Sequence, residues 1–418
     1  MTLRTRACWA ILVASVALCF GAGACDGDGN PQVAHPSGGS GGGGGSGGTA
    51  GAAGSSAGDG AGGGATDAPV SDAPLSPVRV GIVPVPPSQD GGSTAADEKL
   101  ALLETLAAGS RGVSVVRRWG ALYAKPAEPV ADAWTKLHDI STLFHDSGKS
   151  LLFSLALTDR SQDARPAGSP AGWNVPATRA ALDAAVDQVF ATFGDELVAL
   201  SFGNEVDRYL AKASVADRTD LIALIGHALD YARNHPSRPP ATVVGVSIGS
   251  EALGAGDADA VGLVAASDVA VLSYHPLDAS FQARAPSTVA ADLDLMSDAL
   301  SADAGEAGDA GPSKPIFLQE VGYPSAAESA SSPEQQSAFY QSLFQALSVR
   351  RSRFPFVCVH GLYDAPAPSC AAEATAIGAP GNAAAIAALC TLGLRTSDGS
   401  AKPAHASVLS GLAAFSKP

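Results

Sequence analysis

"LVALSFGNEV", residues 197–206, is a run of Leu, Val, Ala and Phe that ends by presenting an amide beside a carboxylate, Asn204–Glu205. A short apolar run closed by polar residues reads as a strand buried on both faces. A second run, "PIFLQEVGYPS" at 315–325, ends the same way with Glu320. Working outward, six more runs of this type appear: "VRVGIVPV" (78–85), "VSVVRRWG" (113–120), "SLLFSLAL" (150–157), "ATVVGVSIG" (241–249), "DVAVLSYHPL" (268–277) and "FPFVCVHGLY" (354–363). Between and after them lie helical patterns near 94–109, 130–147, 177–194, 215–234, 257–266, 288–301, 333–350 and 404–415. In the third of these, Leu182, Ala185, Val186, Val189 and Phe190 recur at helical spacing.

Apolar strands alternating with helices predict a parallel sheet covered on both sides. Eight such units over residues 78–418 predict an α/β fold, a (β/α)₈ TIM barrel. The rival is an open doubly wound sheet. That fold commonly carries a Gly-rich turn after its first strand, where this chain has "PVPPSQDGG". The segment "SADAGEAGDAGPS", 301–313, reads as a disordered loop before the seventh strand.

Barrel active sites gather at the C-terminal ends of the strands. Glu205 closes strand four and Glu320 strand seven. Alternation places Glu205 on one face with Gly203, Ser201 and Ala199, and Phe202, Leu200 and Val198 on the other. Small residues inside and large ones outside aim Glu205 into the barrel mouth. Two carboxylates facing each other there, about 5–5.5 Å apart, suit double displacement at a glycosidic bond. One donates a proton to the departing oxygen while the other, ionised, attacks the anomeric carbon.

"FGNEV" (202–206) and "QEVGYPS" (319–325) resemble the strand-four and strand-seven ends of clan A glycoside hydrolases, closest in style to endo-β-1,3-glucanases and endo-β-1,4-galactanases. That resemblance implies Glu205 as acid/base, Glu320 as nucleophile and Asn204 as the partner of the sugar 2-hydroxyl. It also implies that Tyr274 or His275 of "SYHPL" hydrogen-bonds the nucleophile, and that an Arg of "VVRRWG" contacts it. Parity leaves Arg117 and Arg118 both open for that role. Trp119 and Tyr323 are candidate sugar platforms, with core packing the alternative for each. Many clan members end strand eight with a Trp, whereas this chain has His360, Tyr363 and Asp364 there. Either Tyr363 replaces the Trp or specificity has moved. "LCTLGLRTSDGSAKPA", 389–404, resembles the ending of several glycosidase barrels.

The N-terminus reads differently. Residues 1–24 carry Arg4 and Arg6, an apolar stretch, then "GAGA" before Cys25, a secretory signal loosely resembling a lipobox. Cys25 is the expected lipidation site. Residues 25–77, with "SGGSGGGGGSGG", are expected to be a flexible tether. Some fifty Gly-rich residues have an r.m.s. reach of about 40 Å. Loss of residues 1–24 removes two Arg and no acid, taking the formal charge from −15 to −17. So acidic a chain argues against nucleic acid and suits a neutral glycan. The expectation is an exported, lipid-anchored or secreted monomer acting on a polysaccharide or oligosaccharide, with no cofactor and no other membrane contact.

Beyond Cys25, the mature chain carries Cys358, Cys370 and Cys390. An exported protein favours a disulfide, and Cys370–Cys390 is the preferred pair because Cys358 lies inside an apolar strand. No His or Cys pair has zinc-ligand spacing, so no metal is expected. Two other readings stay open: a non-catalytic carbohydrate-binding lipoprotein on a degenerate barrel, favoured mildly by few aromatics, and a cell-surface transglycosylase.

Overall fold

The computed structural model describes residues 78–86, 95–301 and 314–416. The expected signal (1–24), the expected lipidation site Cys25, the expected tether (25–77) and most of the 301–313 segment lie outside the described residues.

Eight parallel strands form the barrel: β1 (Arg79–Ile82), β2 (Gly112–Arg118), β3 (Ser150–Asp159), β4 (Leu197–Asn204), β5 (Val243–Gly249), β6 (Val269–Tyr274), β7 (Ile316–Val321) and β8 (Phe356–Val359). Each is followed by a helix: α1 (Ala95–Ala107), α2 (Ala131–Ser147), α3 (Pro176–Thr192), α4 (Val215–Arg233), α5 (Ala258–Ala266), α6 (Val289–Ala299), α7 (Pro333–Ser348) and α8 (Pro403–Phe415). Hydrogen-bonded neighbours run β2-β3-β4-β5-β6-β7-β8-β1. The ring closes where Arg111 N donates to Val80 O at 2.8 Å. A Cβ on Gly81 would lie 1.5 Å from Gly112 O, so this closing contact requires glycine.

Apolar residues fill two layers. Leu152, Val198, Ala199, Val269, Val271, Phe317, Phe356 and Cys358 occupy the barrel interior, with the Phe317 and Phe356 rings stacked at 5.5 Å. Leu200, Phe202, Leu182, Val186 and Val189 belong to the larger layer between sheet and helices. Burying each such side chain contributes roughly 1.5–3 kcal/mol. Val198 departs from the alternation expected of strand four. Pairing steps from Leu151↔Leu197 to Leu152↔Ala199, so a bulge turns Val198 inward beside Ala199.

Helix ends follow their sequence signals. Pro176, Pro333 and Pro403 sit in the first turns of α3, α7 and α8, and Ser214 and Ser332 cap α4 and α7 through their hydroxyls. The β8–α8 connection contains two short helices that the sequence pattern did not suggest, Ala367–Ala376 and Ala383–Cys390. Cys370 and Cys390 join them in a disulfide, and Cys358 is a buried free thiol. Among the described residues, no helix is long and apolar enough to cross a membrane.

Candidate active site

Above the apolar interior lies a layer of side-chain hydrogen bonds. Ser154 Oγ donates to Gln319 Oε1 at 2.5 Å, and Gln319 Nε2 donates to Asn204 Oδ1 at 2.9 Å and Ser247 Oγ at 3.0 Å. Asn204 Nδ2 donates to Asp159 Oδ1 at 3.0 Å. This network joins β3, β4, β5 and β7 and forms the floor of the site. Gln319 is fully buried, and a satisfied buried amide fixes the register of the strands it bridges.

Strand alternation alone would send Asn204 and Glu205 to opposite faces. The strand ends at Asn204, and Glu205 adopts φ 49°, ψ 56°, the left-handed region, which brings both side chains to the mouth. Gly203 also has positive φ (75°), and a Cβ there would lie 2.1 Å from Val206 Cγ2. Left-handed geometry at a non-glycine residue costs about 1–3 kcal/mol and is held only where the surroundings over-determine it. On β7 a bulge does the corresponding work. Pairing with β6 steps from Leu318↔Leu272 to Glu320↔Ser273, leaving Gln319 as the extra residue. Gln319 points into the floor and Glu320 into the mouth.

Both carboxylates are buried, Glu205 at 3% and Glu320 at 6% exposure. Arg208 Nε donates to Glu205 Oε2 at 2.6 Å, and Arg160 Nε lies 3.6 Å from the same oxygen. Burial pushes the Glu205 carboxyl up, but Arg208, Arg160 and His275 outweigh it and hold the group below its usual value. Burial also pushes Glu320 up, and His360, His275 and Arg160 together take it down to about 2.

The imidazoles flank Glu320 Oε2, His275 Nε2 at 3.9 Å and His360 Nδ1 at 3.7 Å, with their rings edge to face. A Cβ on Gly322 would fall 2.6 Å from His275 Nδ1, so this glycine admits the ring against β7. Burial lowers His275, and its carboxylate neighbours raise it above the usual value. Burial, aided by His275 and Arg160, holds His360 below it despite Glu320. Glu320 Oε2 and His360 Nδ1 are buried without a protein hydrogen-bond partner.

Glu205, Glu320, Asn204 and His275 thus meet at the mouth. Of the other residues singled out in the sequence, Arg118 reaches the floor through Asp159, and the rest make contacts of their own. Arg117 donates to the Val116 carbonyl at 3.0 Å, and Arg118 pairs with Asp159 at 3.6 Å. Trp119 is buried in the helix–sheet layer. Tyr274 donates to Asp292 at 2.6 Å, Tyr323 to the Arg284 carbonyl at 2.7 Å, and Tyr363 to Glu104 at 2.5 Å, all as buried residues away from the carboxylates.

Arg160 was missed, although "TDR" closes the third apolar run with charges much as Asn204–Glu205 closes the fourth. Arg160 also has left-handed backbone (φ 52°), and its N–H donates to Asn204 O at 2.7 Å. Burial lowers its pKa, and Glu373, Glu205, Glu320 and Asp159 more than restore it, so the guanidinium stays charged. Glu373, on helix Ala367–Ala376, pairs with it at 2.5 Å. Among the described residues, no group of His, Cys, Asp and Glu suits a metal ion.

No protein-family model matches the chain, and no curated protein matches it in sequence. The fold recurs in solved structures. GH5_18 from Streptomyces cattleya, in complex with GlcNAc, is 17% identical with a TM-score of 0.61, covering 82% of this chain and 81% of that one. An exo-β-1,4-mannosidase from an Opitutaceae bacterium is 15% identical with a TM-score of 0.59, covering 81% of this chain and 60% of that one. A family 39 glycoside hydrolase from Bacteroides cellulosilyticus is 16% identical with a TM-score of 0.53, covering 81% and 64%. At such identities the likeness establishes that this chain folds as the (β/α)₈ barrel these enzymes share.

Proposed function

We propose that this chain is a retaining glycoside hydrolase that cleaves β-glycosidic bonds of an oligosaccharide or polysaccharide, with Glu320 as nucleophile and Glu205 as acid/base. One observation carries the reading: two buried carboxylates, from the ends of β4 and β7, converge on the field of a single guanidinium, Arg160.

In the first step Glu320 Oε attacks the anomeric carbon. The bond from that carbon to the leaving oxygen breaks, and Glu205 gives that oxygen its proton. In the second step Glu205, now a carboxylate, takes a proton from water. The water oxygen displaces Glu320, so one water is consumed and the β configuration is retained. Esterification removes the negative charge of Glu320, which lowers the proton affinity of Glu205 and suits its change from acid to base. The depressed pKa of Glu320 keeps the nucleophile ionised. A binding module would display aromatic faces to a glycan, whereas Trp119, Tyr323 and Tyr363 are all interior. The 25–77 segment, with Cys25 lipidated, would hold this domain clear of a membrane surface on the exported side.

The test is a pair of variants assayed on aryl β-glycosides. Glu320→Gln abolishes hydrolysis. Glu205→Ala loses roughly 10²–10⁴-fold in turnover and regains it with azide, which needs no general base. Wild-type rates in both variants, or an α-configured first product by NMR, would refute the assignment.

A further inference from the structure

The guanidinium of Arg160 has more acid around it than it can pair with. Its Nη2 lies 2.5 Å from Glu373 Oε1, whereas its Nε stops 3.6 Å from Glu205 Oε2, beyond hydrogen-bond range. Glu320 and Asp159 also act on it, and His360 faces it as a second basic group. Arg160 has little freedom to leave. Its side chain is 16% exposed, and its left-handed backbone is held by the N–H bond to Asn204 O at 2.7 Å. Glu373 reaches this point from the β8–α8 connection. It follows Cys370 by one helical turn in Ala367–Ala376, and the Cys370–Cys390 disulfide ties that helix to the returning one. Ser161 Oγ donates to the Ala376 carbonyl, fastening the same helix to the loop after β3.

Two arginines face Glu205: Arg208, hydrogen-bonded at 2.6 Å, and Arg160, held just off. His275, Glu320 and His360 face it from the ends of β6, β7 and β8. Asp207 and Glu251 face it from the short helices after β4 and β5, Val206–Leu210 and Ser250–Gly254. A general acid must hold a proton before it can give one, and each cation that closes on the carboxylate favours its ionised form. A fixed negative charge that draws Arg160 aside works in the opposite direction. Glu373 is so placed, with its carboxylate on the guanidinium and its helix fastened at the disulfide and at Ser161.

We propose that Glu373 is a positioning residue that draws the Arg160 guanidinium toward itself and off Glu205, leaving Glu205 able to hold the proton it donates. The inference rests on Glu205 being the acid/base of the hydrolysis written above. Without the charge of Glu373, the pinned guanidinium turns to the carboxylates that remain, Glu205 among them. The ionised form of Glu205 is then favoured, and the enzyme loses its acid at a lower pH.

The experiment uses the full chain and phenyl β-glycosides of glucose, mannose, galactose and xylose, whose poor leaving group needs the acid. Glu373→Gln keeps the shape of the side chain and an acceptor oxygen but loses the charge. The basic limb of its kcat/KM profile should move down by about one pH unit, a loss of about tenfold above the limb. Glu373→Asp keeps the charge and should restore most of the shift. A purely structural loss would lower the whole profile and leave the limb in place. A limb that stays in place or moves up, or an equal shift in Glu373→Asp, overturns the inference and leaves the glycosidase reading standing. No hydrolysis of any of the four glycosides by the wild type overturns both. Should Glu373→Gln fail to fold, Cys370→Ser/Cys390→Ser, which loosens the helix carrying Glu373, must move the limb down. An unmoved limb there decides against the inference.

Discussion

Arg208 donates through Nε to Oε2 of Glu205 at 2.6 Å, placing a cation on the carboxylate proposed as the acid/base. The pair spans only three residues, the first turn after β4, so the chain that delivers Glu205 also delivers its counter-charge. Arg208 is partly exposed, which screens the interaction without removing it.

The pH profile should show this. On the proposed assignment, the basic limb of kcat/KM reports the acid of the free enzyme, Glu205, and the acid limb reports Glu320. Both carboxyls lie below their ordinary range, Glu320 at about 2, so the optimum should be acidic. Arg208→Gln removes a cause that lowers Glu205 and should move the basic limb to higher pH. Rate-against-pH curves of the two proteins check this, and an unmoved basic limb would remove Arg208 from the account.

His360 offers the complementary case. It occupies the end of β8, where the resemblance to clan A leads one to expect Trp, and its Nδ1 lies 3.7 Å from Glu320 Oε2. An imidazole there helps to lower the Glu320 carboxyl, which an indole does not do. His360→Phe should therefore shift the acid limb of kcat/KM upward, toward the ordinary carboxyl range, and lower kcat. A role in packing alone would leave the acid limb in place.

The barrel was legible because its eight apolar runs and eight helical patterns are local signals, and each emerged within a few residues of its reading. Glu205 and Glu320 were legible because a charge ending an apolar run has few structural uses. The geometry that brings them to the mouth was not. It depends on left-handed backbone at Glu205 and Arg160 and on a bulge at Gln319, and strict alternation describes neither. Trp119 and Tyr323 took the packing alternative, and of the pair Tyr274 or His275 it is His275 that faces Glu320, for a related reason. Trp119 and Tyr274 sit at strand ends, but which side of the sheet they occupy depends on where each strand stops. Glu373 carried no signal, since its partner comes from a distant strand.

The "GL…DG..KPA" ending has a structural meaning. Lys402 Nζ lies 2.6 Å from Asp364 Oδ1, 3.0 Å from Ser325 Oγ and 3.2 Å from Thr391 O, tying the start of α8 to the loops after β7 and β8. Both side chains of the pair are largely buried, so removing Lys402 leaves Asp364 without its counter-charge and with the Gly393 amide donating to it at 3.0 Å. Lys402→Met should cost roughly 3–5 kcal/mol in urea unfolding, while Lys402→Met with Asp364→Leu should recover much of that loss. Equal instability in the single and double variants would show that the cost is packing.

Trp119 decides between a sugar platform and a core residue. It is 1% exposed within the helix–sheet layer, and it opens the short helix Trp119–Leu122 directly after β2. A platform would lose affinity on Trp119→Ala, raising KM while leaving the fold intact. A buried indole instead leaves a cavity, costing about 3–5 kcal/mol of stability. At temperatures well below the variant's midpoint, the folded fraction should keep its KM. Thermal unfolding and steady-state kinetics on one preparation separate the outcomes. A raised KM with an unchanged melting temperature would place the ring in the glycan path, against the burial observed here.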